Sequence, residues 1–112
     1  MRAGDLVFLQ GQTGRTTDGG FVGRRDVAAQ AGNAMRCVKS LLEEAGARME
    51  DICKVITCVK NVSDRQHVYP VLARHLKGVS PVSTGLVVEA FGHPDVDFEI
   101  DVFTVIPADR SS

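Results

Sequence analysis

Apolar positions along the chain fall into runs of two different periods. Residues 5–10 (DLVFLQ) are nearly continuous in apolar, β-favouring side chains, the pattern of a strand buried on both faces. Val27, Ala31, Ala34, Val38, Leu41, Leu42 and Ala45 recur at helical spacing, while Gln30, Arg36, Lys39, Ser40, Glu43 and Glu44 fall off that stripe. Asp26 is a good N-cap for this helix and Gly46 a good stop. Residues 49–62 begin as a short acidic turn and become a strand from Cys53. Val55, Thr57 and Val59 face one way there, and Lys54, Ile56, Cys58 and Lys60 the other. Ser63 or Asp64 caps a second helix with Val68, Val71, Leu72 and Leu76 on its apolar side, and Gly78 ends it. Pro70 removes a helical hydrogen bond outside the first turn, so the regular helix is predicted to begin near Tyr69. Strands at 82–90 and 96–106 follow, joined by a turn at 92–95. Phe98, Ile100, Val102 and Thr104 share one face of the last strand, and Asp97, Glu99, Asp101 and Phe103 the other. The tail, residues 107–112, is expected to fray.

The order β, α, β, α, β, β predicts an α+β fold: a two-layer sandwich with two helices on one face of a mixed sheet, in one domain over residues 1–112. Two helices cover only one sheet face. The strands nevertheless carry apolar residues on both, Leu6 and Phe8 as well as Val7 and Leu9, and Leu86 and Val88 as well as Val87. A homo-oligomer is the simplest cover for the second face.

Composition narrows the function classes. The 112 residues are 44% hydrophobic and 24% charged with net charge −1, an ordinary globular balance that argues against a nonspecific nucleic-acid binder. No apolar run reaches the roughly 20 residues of a membrane helix, and the N-terminus has no signal-like apolar core, so the expected location is cytoplasmic. Cys37, Cys53 and Cys58 are read as buried thiols rather than disulfides or metal ligands. His67, His75 and His93 share no ligand spacing, so neither metal nor cofactor is expected. The segment GQTGRTTDGG (residues 11–20) is turn chemistry and lacks the Gly-Lys-Ser/Thr of a phosphate loop.

Three stretches carry a resemblance: GDLVFLQGQTG (4–14), LLEEAGARMEDICKVITCVKNVSD (41–64) and SPVSTGLVV with VDFEIDVFTVI (80–106). Together they resemble the Rid family, the reactive intermediate deaminases also called YjgF or L-PSP. The resemblance implies a chorismate mutase-like fold and a homotrimer whose sheets face a central, barrel-like core. It also implies ligand clefts between neighbouring subunits. The activity it implies is hydrolysis of reactive enamines and imines to 2-oxo acids and ammonia.

The resemblance also implies site residues. Glu99 in FEID matches the family's acidic residue that directs water, and Gly11 matches a glycine of the cleft wall. Ser83 stands where deaminase members carry the arginine that grips a substrate carboxylate. Gly85 matches a small residue that lets backbone approach the ligand, Gln10 replaces a small hydroxyl residue, and Tyr69 stands where many members place an asparagine. The extra N-terminal strand of those members is expected to be missing. Glu99 is thus the candidate catalytic residue, and Ser83, Thr84, Gly85, Gly11, Gln10 and Tyr69 are candidate substrate contacts. Hydroxyls at Ser83 and Thr84 with the Gln10 amide favour a neutral polar ligand group. The remaining sources of positive charge are Arg2, Arg15, Arg24 and His93. The leading function is a deaminase-like hydrolase of a small C=N metabolite. A non-catalytic metabolite-binding trimer is the alternative, and an endoribonuclease or translation inhibitor ranks last.

Overall fold

A computed structural model of the protein describes residues 1–110. Five strands form one sheet: β1 (Arg2–Ala3), β2 (Leu6–Gln12), β3 (Ile52–Val59), β4 (Val82–Val87) and β5 (Phe98–Val105). Two helices, α1 (Val27–Glu44) and α2 (Arg65–His75), cross over it. The spatial order is β1-β2-β5-β3-β4, with β3 and β4 parallel and the other neighbours antiparallel. The α+β class, the mixed sheet and the two helices are as the apolar pattern predicts. A two-residue strand at Arg2–Ala3 corrects the expectation that no strand precedes β2: it pairs with Leu6 and Val7 through the turn at Asp5.

The core lies between the helices and one sheet face. Val7, Leu9, Val55, Val59, Phe98, Ile100 and Val102 meet Ala31, Ala34, Met35, Val38 and Leu42 of α1 and Val68, Val71 and Leu72 of α2. Leu6 and Phe8 are exposed, so β2 is buried on one face within the chain, not on both. Asp26 caps α1 by accepting a bond from the Ala29 N–H at 3.1 Å, and Gly46 takes the left-handed conformation (φ +84°) that ends the helix without a Cβ penalty.

Several local expectations are corrected. Helix α2 starts at Arg65, four residues before Tyr69. The chain enters it from a 3-10 turn over Val62–Asp64, and Asp64 makes no side-chain capping bond. Pro70 lies inside the helix, but it and Gln66 are both exposed, so the carbonyl deprived of its partner can be hydrated. Strand β4 stops at Val87, and its residues are exposed because it is an edge strand. The thiols are not buried: Cys53 is exposed, and Cys37 and Cys58 are half-buried.

Gln30, placed off the helical stripe, is fully buried. Its amide nitrogen donates to the Gly23 and Asp95 carbonyls at 2.9 and 3.1 Å, and its oxygen accepts the Asp97 N–H at 2.8 Å. A polar side chain is inside because it closes bonds that two loops would otherwise leave open. The tail is ordered as far as it is described: Ala108–Arg110 form a 3-10 turn, and the Arg110 guanidinium pairs with the carboxylate of buried Asp51. Ser111 and Ser112 lie outside the described residues.

Candidate functional site

Between the pairs Leu9–Val102 and Gln12–Ile100, β2 carries one residue more than β5. This is a β-bulge, and Gly11 supplies the left-handed conformation it needs (φ +69°). The bulge aims the Gly11 N–H at Asp101, whose Oδ1 accepts it at 2.8 Å. It also brings Gly11 beneath Glu99: a Cβ added at Gly11 would stand 3.0 Å from Glu99 Oε1. The glycine is therefore required twice, by its backbone angle and by the carboxylate over it.

Glu99 and Asp101 are on the open face of β5, away from the helices, and Cys58 of β3 is Glu99's cross-strand partner. Desolvation, with the Asp101 charge second, raises the Glu99 carboxyl above its ordinary range. Desolvation likewise raises the Cys58 thiol, with smaller contributions from Glu99 and Asp101. That direction keeps Cys58 protonated and speaks against its acting as a nucleophile.

Glu99 lines a cavity of about 240 Å³ together with Gly11, Thr13, Arg15, Phe91, Gly92, His93 and Val96. His93 is fixed there from two sides. Its ring stacks on Phe21 with centroids 6.0 Å apart and planes 18° from parallel, and its Nδ1 accepts the Asp95 N–H at 3.1 Å. Thr13, Phe91 and Val96 were not singled out from the sequence. All three belong to loops, since the last strand begins at Phe98 rather than at residue 96, and no period assigns loop residues to a face.

The other candidate residues lie elsewhere in the chain. In the parallel register Ser83 pairs with Val55 and Gly85 with Thr57, so both face the helix layer, while Thr84 pairs with Ile56 on the open face. Ser83 and Tyr69 line a separate cavity of about 460 Å³ beside Leu72, Leu76 and Pro81. A Cβ at Gly85 would stand 3.3 Å from the Tyr69 hydroxyl oxygen, so the group approaching this glycine within one chain is Tyr69. Gln10 borders Phe8, Asp101 and Phe103 rather than the Glu99 cavity. Of the candidates, only Glu99 and Gly11 line the Glu99 cavity within one chain, while Ser83, Gly85 and Tyr69 gather on the helix side. Among the described residues no cluster of three or more His, Cys, Asp or Glu side chains could hold a metal ion. No helix there is long and apolar enough to cross a membrane.

Residues 1–106 match the family described as Endoribonuclease L-PSP. A RutC family protein of Pyrococcus horikoshii is 26% identical over 101 residues, 90% of this chain and 79% of its own length. A second, of Pyrococcus abyssi, is 30% identical over 64 residues, 57% of this chain and half of that protein. Among solved structures, a Mycobacterium tuberculosis member of the YjgF/YER057c/UK114 family is 28% identical with a TM-score of 0.82, over 94% of this chain and 82% of that one. Yeast Mmf1, at 24% identity over 95% and 83% of the two chains, shares the fold with a TM-score of 0.88. With its matched span of residues 1–106 and its five-stranded, two-helix architecture, the chain belongs to the YjgF/L-PSP family, also called Rid or RutC.

Proposed function

We propose that the protein is a deaminase-type hydrolase that adds water to the C=N bond of a small reactive imine, or of an enamine after tautomerisation, and releases ammonia. The observation that carries this reading is the Glu99 carboxylate. It lines a small cavity, stands over a bulge glycine and is raised in pKa by desolvation and by Asp101. A carboxylate so raised is a better base than a solvated one. Water attacks the imine carbon while Glu99 takes its proton. Glu99 returns that proton to the nitrogen, and as the C–N bond of the carbinolamine breaks the hydroxyl's own proton follows it, so that ammonia leaves and a carbonyl remains. Water and imine are consumed, and ammonia and carbonyl compound are formed.

The working form is proposed to be a homotrimer with its sheets facing inward. Leu6, Phe8, Val82, Leu86 and Val105 are exposed, five large apolar side chains of one sheet, and Ile56 and Phe103 are only partly covered. A neighbouring copy covering them would also lay its β4 edge, with Ser83 and Thr84, and Tyr69 of its α2 near the Glu99 cavity. In that arrangement the two separated groups of candidate residues become one cleft between subunits.

Ammonia release from freshly generated imines, some neutral and some carboxylate-bearing, tests the reading. The wild type accelerates it, and Glu99→Gln keeps its fold and loses the acceleration. A wild type that accelerates no compound in the panel would overturn the hydrolase. What supports the second reading, a non-catalytic metabolite-binding trimer, is the resemblance, which sets Ser83 where deaminase members carry their arginine. That reading predicts saturable binding without product in wild type and Glu99→Gln alike.

A further inference from the structure

Resting on the reading of the Glu99 cavity as the reaction site, we infer that Arg15, helped by His93, is the anchor that selects carboxylate-bearing substrates there. Four cations could supply a positive charge at the site: Arg2, Arg15, Arg24 and His93. Arg2 is committed to the fold: its guanidinium donates to the Gly4 and Ala45 carbonyls, both at 2.8 Å, closing the C-terminal end of α1. Arg24 is neutralised by Asp95 at 3.2 Å. Arg15 and His93 remain, and both line the cavity that holds Glu99.

Arg15 is held by its backbone. Its N–H donates to the Thr13 hydroxyl at 3.1 Å, and its carbonyl accepts the Asn33 amide at 3.0 Å. Its guanidinium makes no hydrogen bond or ion pair among the described residues, so its donors are available to a ligand. A guanidinium matches a carboxylate with two parallel charged bonds, which an ammonium cannot do. His93 adds a second donor. With Nδ1 accepting from Asp95, the ring's proton resides on Nε2, the free nitrogen of the two.

The charges also set direction. Glu99 repels a substrate carboxylate and Arg15 attracts it, so an anionic imine enters with its acid group toward Arg15 and its C=N bond toward Glu99. At about 240 Å³ the cavity is below the roughly 300–1,000 Å³ of drug-sized sites, which suits a short-chain compound. Within one chain Ser83, Thr84 and Gln10, which suggested a neutral ligand, are not among the residues that line it.

Equilibrium binding of pyruvate and of its neutral counterpart pyruvamide tests the assignment without turnover. The wild type is expected to prefer pyruvate, with an affinity that falls as salt rises. Arg15→Gln should weaken pyruvate about 10- to 100-fold, the equivalent of one charged hydrogen-bonded pair, and leave pyruvamide unchanged. Arg15→Lys should recover part of the loss, and Glu99→Gln should bind pyruvate as well as or better than the wild type. Equal affinity of wild type and Arg15→Gln for pyruvate, or no preference over pyruvamide, would overturn the proposal. The two readings fail separately. Turnover that survives Glu99→Gln sinks the base while leaving the anchor. Turnover that needs Glu99 without any carboxylate preference sinks the anchor while leaving the base.

Discussion

Asp101 sits two residues from Glu99 on the same side of β5 and acts on it in two ways. Its charge helps to raise the Glu99 carboxyl, and its oxygen fixes the bulge on which Glu99 rests. Asp101→Asn keeps an acceptor for the Gly11 N–H and removes the charge. The acid limb of the pH–rate profile should therefore move to lower pH while the fold survives. Gly11→Ala should do more damage, because it puts a Cβ 3.0 Å from Glu99 Oε1 on a backbone with φ of +69°. We expect a loss of about 1–2 kcal/mol in denaturant unfolding, with reduced turnover. Thr104 Oγ1 is buried without a partner among the described residues, so Thr104→Val should gain about 1 kcal/mol in the same assay. Glu99 and Gly11 were legible in sequence because both sit at motif positions on strands. Gly85 was legible as a close-approach glycine, but its neighbour Tyr69 was not, since that contact depends on how α2 lies over β4.

Helix α1 shows what a period reveals about an element and what it hides. Its span, cap and stop were readable because seven apolar positions share one stripe and Asp26 and Gly46 frame it. Gln30 was not, because its place inside is decided by carbonyls and an N–H from residues 23, 95 and 97. Gln30→Ala leaves those groups buried and unpaired. It should cost about 2–3 kcal/mol of stability and loosen the 93–97 segment that carries His93. Faster hydrogen exchange at the Asp97 amide, measured against the core amides of β5, would register it. Pro70 was legible as a helix disturbance but misplaced the helix start, because an exposed proline can be tolerated when water serves the carbonyl it abandons. Arg110→Ala should lower the melting temperature, since it removes the cation facing buried Asp51.

For the whole molecule, the two-layer architecture was written in the alternation of strands and helices, and the need for a further cover was written in the two-faced strands. Which residues line the Glu99 cavity was not, because Arg15 comes from the loop after β2 and Phe91 and His93 from the loop before β5, and only the fold brings the two together. Placing a charge on the open face, as in Ile56→Asp, should convert the proposed trimer to monomers by mass in solution and abolish the proposed turnover with it. The raised Glu99 carboxyl also links function to stability. Because its pKa is higher in the fold than in the unfolded chain, its contribution is fully present below the unfolded value and lost as pH rises through the folded one. Glu99→Gln should therefore gain in melting temperature over the wild type as pH increases from acid to neutral.

The most direct test of the account is the pH dependence of kcat/KM for ammonia release from a carboxylate-bearing imine, in wild type and Glu99→Gln. We predict a rise with pH whose midpoint lies above the ordinary carboxylate range, and its disappearance, with nearly all the rate, in the glutamine variant. A rate that keeps both its size and its pH dependence after Glu99→Gln would contradict the assignment of Glu99 as the base.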